Sequence, residues 1–197
     1  MFVTFEGIDG SGKSTQVDLL RDWLAGEGHE VVVTREPGGT ELGEGVRQLV
    51  LNGPEMTPWA EAALFASARA ELAERVIRPA LERGAWVVCD RYFDSSVAYQ
   101  GIGRELGVGR VLELNLAATR GLVPDKTFVL LLTPEDARGR VDEKPDRIER
   151  EPHGFQQTVD DAYRGLAAIF PQRIVALDAT RPATELADQV REHVRSR

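Results

Sequence analysis

The sequence has little of what several classes of protein require. Its 197 residues contain one cysteine, Cys89, so no disulfide can form within the chain and a metal-thiolate cluster is excluded. The three histidines, His29, His153 and His193, show no metal-ligand spacing. No apolar run is long enough to span a bilayer, and the first residues lack the basic and apolar segments of a secretory signal. We expect a soluble, cytoplasmic protein with no membrane partner.

Positive charge is scarce as well. Lysine and arginine together number 24 against 32 acidic residues, which gives a formal net charge of -8. A protein that holds a nucleic-acid backbone normally presents a net basic face, so we expect no nucleic-acid partner. Anionic ligands must instead meet local clusters of arginine. The length and the 42% hydrophobic content suit one α/β domain with a sizeable core, and we expect residues 1–197 to form that single domain.

A phosphate-binding pattern stands near the start of the chain. Residues 7–15 fit G-x-x-x-x-G-K-[ST] and follow the apolar stretch 1–5, which can be a buried strand. Glycines let backbone N–H groups approach a polyphosphate, the Lys13 ammonium adds a mobile charge, and the Ser14 hydroxyl can ligate Mg²⁺. The pattern predicts a nucleoside triphosphate site made of Gly7, Ile8, Asp9, Gly10, Ser11, Gly12, Lys13, Ser14 and Thr15.

Strand and helix patterns alternate along the whole chain. Apolar runs predict strands, and apolar residues at steps of three and four predict the helices between them. This alternation is typical of a parallel sheet with helices on both faces, which binds ligands at the carboxyl ends of its strands. The predicted strands are 1–5, 30–34, 85–89, 126–132 and 173–177, and the predicted helices are 16–25, 42–51, 58–82, 95–100, 109–119, 154–169 and 183–195.

A second phosphate-transfer element ends the strand at 86–90. The Asp90 carboxylate is expected to face the Mg²⁺ held by Ser14, and Arg91 beside it suits bidentate contact with a phosphate. This pair suggests a second phosphorylated substrate. A guanine-nucleotide switch would need an Asn-Lys-x-Asp motif, and the sequence contains none. The small size favours transfer between two nucleotides.

Longer motifs carry a family resemblance. They are residues 5–9 running into 12–16, Thr-Arg-Glu-Pro-Gly-Gly-Thr at 34–40, Leu-Phe-Ala-Ser-Ala-Arg at 64–69, the run 90–101, and Asp-Arg-Ile-Glu at 146–149. Together they make the chain resemble the thymidylate kinase family over essentially its whole length. The resemblance implies a P-loop nucleotide kinase fold with a five-stranded parallel sheet and a mobile lid at about 134–152. It also implies phosphorylation of dTMP to dTDP by ATP and Mg²⁺, in dTTP biosynthesis, by a homodimer.

The resemblance assigns residues to the thymine base and its sugar. Phe65 is expected to stack on thymine, and Arg69, four residues on along one helix face, to donate to a base carbonyl. Ser96 and Gln100 repeat that spacing and can exchange hydrogen bonds with the imide edge of the base. Tyr99 is expected near the sugar, where its bulk disfavours a ribose 2′-hydroxyl. The alternatives are core packing for both aromatic residues, a solvated helix face for Arg69, and cap or surface positions for Ser96 and Gln100.

The resemblance also assigns groups around the acceptor phosphate. Arg35 and Arg91 are expected to bind that phosphate, Glu36 to lie on the ribose side and Arg47 on the base side. Asp9 is expected near either the acceptor sugar hydroxyl or the water shell of the metal, and the sequence does not choose between them.

The lid is where the chain departs from the family patterns. Some relatives carry an arginine inside the phosphate loop, where this chain has Gly10, and others carry several in the lid. Charge on the moving phosphoryl group is therefore expected to be met by Arg138, Arg140, Lys144 or Arg147. We select Arg140 and Arg147 as catalytic, beside Lys13, Arg91 and Asp9, with a solvated salt-bridge face as the alternative for both.

Two other functions remain open from the sequence. One is a different nucleoside monophosphate kinase or a deoxynucleoside kinase. The other is a non-catalytic nucleotide sensor on the same fold.

Overall fold

One parallel sheet forms the centre of the protein. The computed structural model describes residues 1–137, 140 and 146–195. Within them, the strands are Phe2–Glu6 (β1), Val31–Arg35 (β2), Trp86–Asp90 (β3), Lys126–Leu131 (β4) and Ile174–Asp178 (β5). Their order in the sheet is β2-β3-β1-β4-β5, and every neighbouring pair is parallel. The predicted α/β class and five-stranded parallel sheet are confirmed.

Helices cover both faces of the sheet, as parallel strands require. On one face, Leu20 and Val190 belong to a core cluster that includes Phe5 and Phe128 of the sheet. Cys89 lies in another core cluster and is fully buried, as its apolar context predicted. The helices are Lys13–Gly26 (α1), Glu41–Asn52 (α2), Pro58–Leu72 (α3), Arg78–Glu82 (α4), Phe93–Ser96 (α5), Val108–Ala118 (α6), Pro134–Ala137 (α7), His153–Ile169 (α8) and Ala183–Arg195 (α9). None of the described helices is both long and apolar enough to cross a membrane.

Two helices differ from their predicted form. The single helix predicted at 58–82 is divided into α3, a π-helical turn at Ala73–Ile77, and α4. Pro79 lies in the first turn of α4 and has no N–H to continue an α-helical ladder, so a wider turn before it accommodates the ring. The helix predicted at 95–100 is α5 followed by a π-helical segment, Val97–Gly103.

The phosphate loop lies between the end of β1 and the start of α1. Gly7 and Gly12 have φ angles of 136° and 91°, a region that side chains with a Cβ atom rarely adopt. A Cβ on Gly7 would also approach the backbone oxygen of Leu130 to 2.5 Å. Because the strands are parallel, the ends of β1, β2 and β3 place Asp9, Arg35 and Asp90 at one edge of the sheet.

Candidate active site

A cavity of about 1020 Å³ lies at this edge and collects most of the predicted site residues. It joins the phosphate loop, the ends of β2 and β3, the helices α2 and α3, and the π-helical segment after α5. Gly7 and Ile8 support the loop from behind, and neither Arg69 nor Arg147 reaches the cavity surface. The predicted residues that line it are Asp9, Gly10, Ser11, Gly12, Lys13, Ser14, Thr15, Arg35, Glu36, Arg47, Phe65, Asp90, Arg91, Ser96, Tyr99, Gln100 and Arg140.

Lys13 is held in place by its own loop. Its ammonium donates to the backbone oxygen of Ile8 at 2.8 Å and lies 3.5 Å from Asp9 Oδ1. Only 6% of the residue is exposed. Burial and the neighbouring Arg91 charge lower the pKa of Lys13, and the Asp9 carboxylate opposes that shift. The ammonium thus stands where the loop amides converge.

Ser14 and Asp90 form a pair of oxygen ligands at the start of α1. The Ser14 hydroxyl donates to Asp90 Oδ2 at 2.8 Å, although the two residues are 76 positions apart in sequence. Within the described residues, no group of three or more His, Cys, Asp or Glu could hold a metal ion. A hydroxyl and one carboxylate fit Mg²⁺, which usually keeps several waters and takes its other ligands from phosphate oxygens.

Arg91 turns into the cavity through an uncommon backbone conformation. Its φ angle is 70°, in the left-handed region, directly after the last residue of β3. One end of the guanidinium donates to Asp9 Oδ1 at 2.7 Å, and the other donates to Ser95 Oγ and Tyr163 Oη. Desolvation alone would raise the pKa of the Asp9 carboxyl, but Arg91 and then Lys13 hold it well below its usual range.

A buried carboxyl, Glu6, supports Arg91 from behind. Glu6 ends β1 and is fully buried, where it accepts hydrogen bonds from Tyr92 N at 2.7 Å, Ser95 Oγ at 2.5 Å and Tyr163 Oη at 3.0 Å. Burial, and secondarily the Asp94 charge, raises the pKa of Glu6 to about 7. Since Ser95 and Tyr163 also contact Arg91, Glu6 fixes the groups that orient the guanidinium.

Arg69 lies in the wall of the cavity and does not reach its surface. The residue is 1% exposed, so the solvated helix face considered from the sequence is wrong. Its guanidinium donates to Glu36 Oε2 at 2.6 Å, to Ser96 Oγ at 3.0 Å, to Asn115 Oδ1 and to the backbone oxygen of Tyr92. The predicted contact with a base carbonyl would require one of these bonds to be exchanged, because buried acceptors already occupy each nitrogen.

Glu36 offers a free acceptor beside Arg69. Its Oε1 atom is buried and has no hydrogen-bond partner among the described residues. Burial raises the pKa of the Glu36 carboxyl to about 7, although Arg69 opposes the shift. An unpaired buried oxygen in a cavity wall fits a hydroxyl or N–H donor of a ligand.

The two arginines on the other side of Glu36 lie at the cavity rim. Arg35 is exposed and donates to Glu44 Oε1 at 2.8 Å, and Arg47 donates to the backbone oxygen of Pro37 at 3.0 Å. Both guanidiniums line the cavity. They supply the local positive charge that the acidic chain needs for an anionic ligand.

The residues predicted for the base lie together at one end of the cavity. Phe65 is partly buried there, and Gln100 Nε2 donates to Glu61 Oε1 at 2.8 Å. Tyr99 is 6% exposed and packs near Phe155 and Tyr163, so core packing and cavity lining both apply to it. Its hydroxyl is buried without a hydrogen-bond partner among the described residues.

The two arginines selected from the lid have different positions. Arg140 is exposed, lines the cavity and donates to the backbone oxygen of Ala179 at 3.3 Å. Arg147 does not line that cavity, because the buried Glu61 carboxylate binds it at 2.7 Å and Val50 O accepts from its Nε. Its expected position at the phosphates is therefore corrected. Arg138 and Lys144 lie outside the described residues.

Similarity to known proteins agrees with this geometry. A family model described as thymidylate kinase matches residues 5–190. The chain belongs to the thymidylate kinase family. A thymidylate kinase of Clavibacter michiganensis subsp. michiganensis is 52% identical over 195 residues, covering 97% of this chain and 92% of the relative. One of Exiguobacterium sp. is 46% identical, covering 98% and 93%. A crystal structure of thymidylate kinase from Ehrlichia chaffeensis matches with a TM-score of 0.82 and 32% identity, covering 99% of this chain and 98% of that one.

Membership of the thymidylate kinase family confirms the predicted resemblance and the P-loop kinase fold. Sequence reasoning nevertheless missed the buried polar residues Glu6, Glu61 and Tyr163, which hold the predicted site residues in place. A signal existed for Glu6, since a charged residue inside an otherwise apolar strand must have partners. Glu61 and Tyr163 carried no comparable signal, because their partners are distant in sequence.

Proposed function

We propose that this member of the thymidylate kinase family transfers the γ-phosphoryl group of ATP, with Mg²⁺, to dTMP and forms dTDP for dTTP biosynthesis. One observation carries the proposal: Asp9 Oδ1 lies 3.5 Å from Lys13 Nζ of the phosphate loop and 2.7 Å from Arg91 Nη2. A triphosphate-binding cation and a second phosphate-binding cation therefore meet at one carboxylate. This arrangement supports a two-nucleotide site.

The phosphate end of the cavity would act by positioning and by charge. The loop amides and Lys13 hold the donor phosphates, and Arg91 with Arg35 orients the acceptor phosphate in line. Ser14 and Asp90 would hold Mg²⁺, which when bound neutralises phosphate charge. Phosphate oxygens are already anionic at neutral pH, so no strong general base is needed. Asp9 keeps its two proposed roles, toward the acceptor sugar or the metal's water shell.

The opposite end would select the nucleoside. Phe65 stacks on thymine, Ser96 and Gln100 meet its imide edge, and Arg47 lies on the base side. The free Glu36 Oε1 supports its proposed place beside the sugar. Tyr99 would limit the space for a ribose 2′-hydroxyl. Arg69 contributes to the base end as well, through Ser96 or after exchanging a bond.

The remaining proposals concern the whole chain. Residues 1–197 form a single cytoplasmic domain whose lid, at about 134–152, closes over the phosphates and excludes water. Arg140 is then the arginine that meets the transition-state charge. The protein works as a homodimer, for which the exposed Leu42 and Leu49, two turns apart on α2, offer an apolar stripe.

A coupled assay of ADP release tests the proposal. The acceptors are dTMP, dUMP, dGMP, dCMP, AMP and thymidine, each with ATP and Mg²⁺. We expect the highest kcat/KM with dTMP, and preference for a purine nucleotide or for thymidine would refute it. ATP binding without turnover on any acceptor would instead identify a nucleotide sensor.

A further inference from the structure

Glu61 is a buried carboxylate at the base end of the cavity with partners from three parts of the chain. It lies in the first turn of α3 and is 1% exposed. Gln100 Nε2 donates to its Oε1 at 2.8 Å, Arg104 lies 3.2 Å from its Oε2, and Arg147 lies 2.7 Å from the same oxygen. Two arginines already balance its charge, so the bond to Gln100 is additional to an ion-pair network.

The charge of Glu61 limits how Gln100 can lie. Burial alone would raise the pKa of the Glu61 carboxyl, but hydrogen bonds from Gln100, Arg104 and Arg147 outweigh burial and lower it. An ionised carboxylate only accepts hydrogen bonds. Turning the amide over would place Gln100 Oε1 against a carboxylate oxygen, and a buried donor of the amide would lose its partner.

Gln100 lines the cavity as well as contacting Glu61. We infer that Glu61 is a positioning residue that commits Gln100 Nε2 to itself and so presents Oε1 to the acceptor base. A fixed acceptor pairs with the ring N3–H of thymine or uracil and opposes the unprotonated N3 of cytosine. This inference rests on the proposed function and adds to it the residue that sets the polarity of base recognition.

Replacement Glu61→Gln changes that polarity with little change in shape. The single carbonyl oxygen of the new side chain is needed by Arg104 and Arg147, which only donate. Its NH₂ group then faces Gln100 and turns the Gln100 amide over, so that an N–H donor faces the base. Acceptors with a ring N–H lose a hydrogen bond and gain an unfavourable contact, whereas cytosine gains a partner.

The experiment measures kcat/KM for dTMP and for dCMP in the wild-type protein and in E61Q. We expect the dTMP to dCMP ratio to fall roughly three- to tenfold, as one hydrogen bond implies, mainly through KM for dTMP and with KM for ATP unchanged. Arg104→Gln is the matched control, because it removes another contact of Glu61 and leaves Gln100 in place. We expect R104Q to lower the melting temperature and to keep the wild-type ratio.

A purely structural role for Glu61 predicts different results. An unchanged ratio in folded E61Q, or an equal fall of the ratio in R104Q, would overturn the inference. If E61Q does not fold, the wild-type protein answers with N3-methyl-dTMP, which lacks the ring N–H. Binding at least tenfold weaker than that of dTMP would support the inference, and equal binding would overturn it. Absence of dTMP turnover in the wild-type protein would refute the proposed function instead.

Discussion

Charge at the residue scale is concentrated around Asp9. This carboxylate neutralises part of the positive charge of Lys13 and Arg91, which would otherwise repel each other in a partly buried loop. Phosphate groups bring negative charge to the same two cations. The site is therefore assembled before any nucleotide binds, and catalysis needs little reorganisation of its charged groups.

Lys13→Ala tests the importance of that preassembled charge. We expect turnover of dTMP to fall at least a hundredfold, because a buried cation that meets the transferred phosphoryl group is lost. ADP release in a coupled assay measures the effect. Arg21→Ala, which removes a half-exposed cation from the same helix, is the matched control and should keep wild-type turnover. Comparable loss in both variants would contradict the role of Lys13.

Glu6 gives stability a dependence on pH. The unfolded chain releases this proton near the ordinary pKa of 4.5, whereas the folded protein keeps it to about pH 7. The folded state binds more protons between these values, so the free energy of unfolding should fall as pH rises, by up to about 1.4 kcal/mol per pH unit.

Urea unfolding at pH 5, 6 and 7 measures that slope. Glu6→Gln keeps the shape of the side chain and cannot titrate, so it should remove the contribution of Glu6. Glu82→Gln, at an exposed position, should leave the slope unchanged. A wild-type slope in E6Q would mean that another group carries the pH dependence.

Elements give the site its second level of organisation. The π-helical segment Val97–Gly103 places Tyr99 and Gln100 on the cavity wall, and the segment after the lid is attached at its base by Arg147. The backbone N–H and the Nε atom of Arg147 donate to Leu51 O and Val50 O at the end of α2. Arg147 thus joins the lid to α2 and α3, where its predicted role was at the phosphates.

Arg147→Ala should therefore act on stability. Removing one partner of the buried Glu61 leaves carboxylate charge less balanced, and we expect a loss of about 3 kcal/mol in the free energy of unfolding, measured with urea. Arg140→Ala is the paired variant. It should leave stability unchanged and lower kcat roughly a thousandfold, since an arginine that meets the transferred phosphoryl group contributes on that scale. The reverse pattern would restore the original assignment of Arg147.

At the scale of the whole molecule, the sheet order determines which chain segments meet. β1 lies between β3 and β4, so the phosphate loop faces the end of β3 across one strand spacing. Chain segments that are 76 residues apart in sequence thereby supply Ser14 and Asp90 to one point. Helices α2 and α3 then enclose the far end of the cavity with Arg47 and Phe65.

Assembly into a homodimer is testable by mass. Sedimentation equilibrium should give twice the chain mass of 21.7 kDa at micromolar concentration. Leu49→Asp places a charge in the exposed apolar stripe of α2 and should shift the equilibrium to the monomer. Val123→Asp alters another exposed apolar residue and should leave the dimer intact. A monomeric wild-type protein would refute the homodimer.

The sequence by itself determined the phosphate loop, the order of strands and helices, and the identity of most cavity residues. Local patterns suffice for these, because a loop motif, an apolar run or a helical step is written in neighbouring residues. Only the tertiary structure decided that Arg69 is buried behind Ser96, that Arg147 binds Glu61, and that Glu6 supports Arg91. Each of these depends on a buried carboxylate or hydroxyl whose partners come from distant segments, and burial with its electrostatic consequences exists only after the chain has folded.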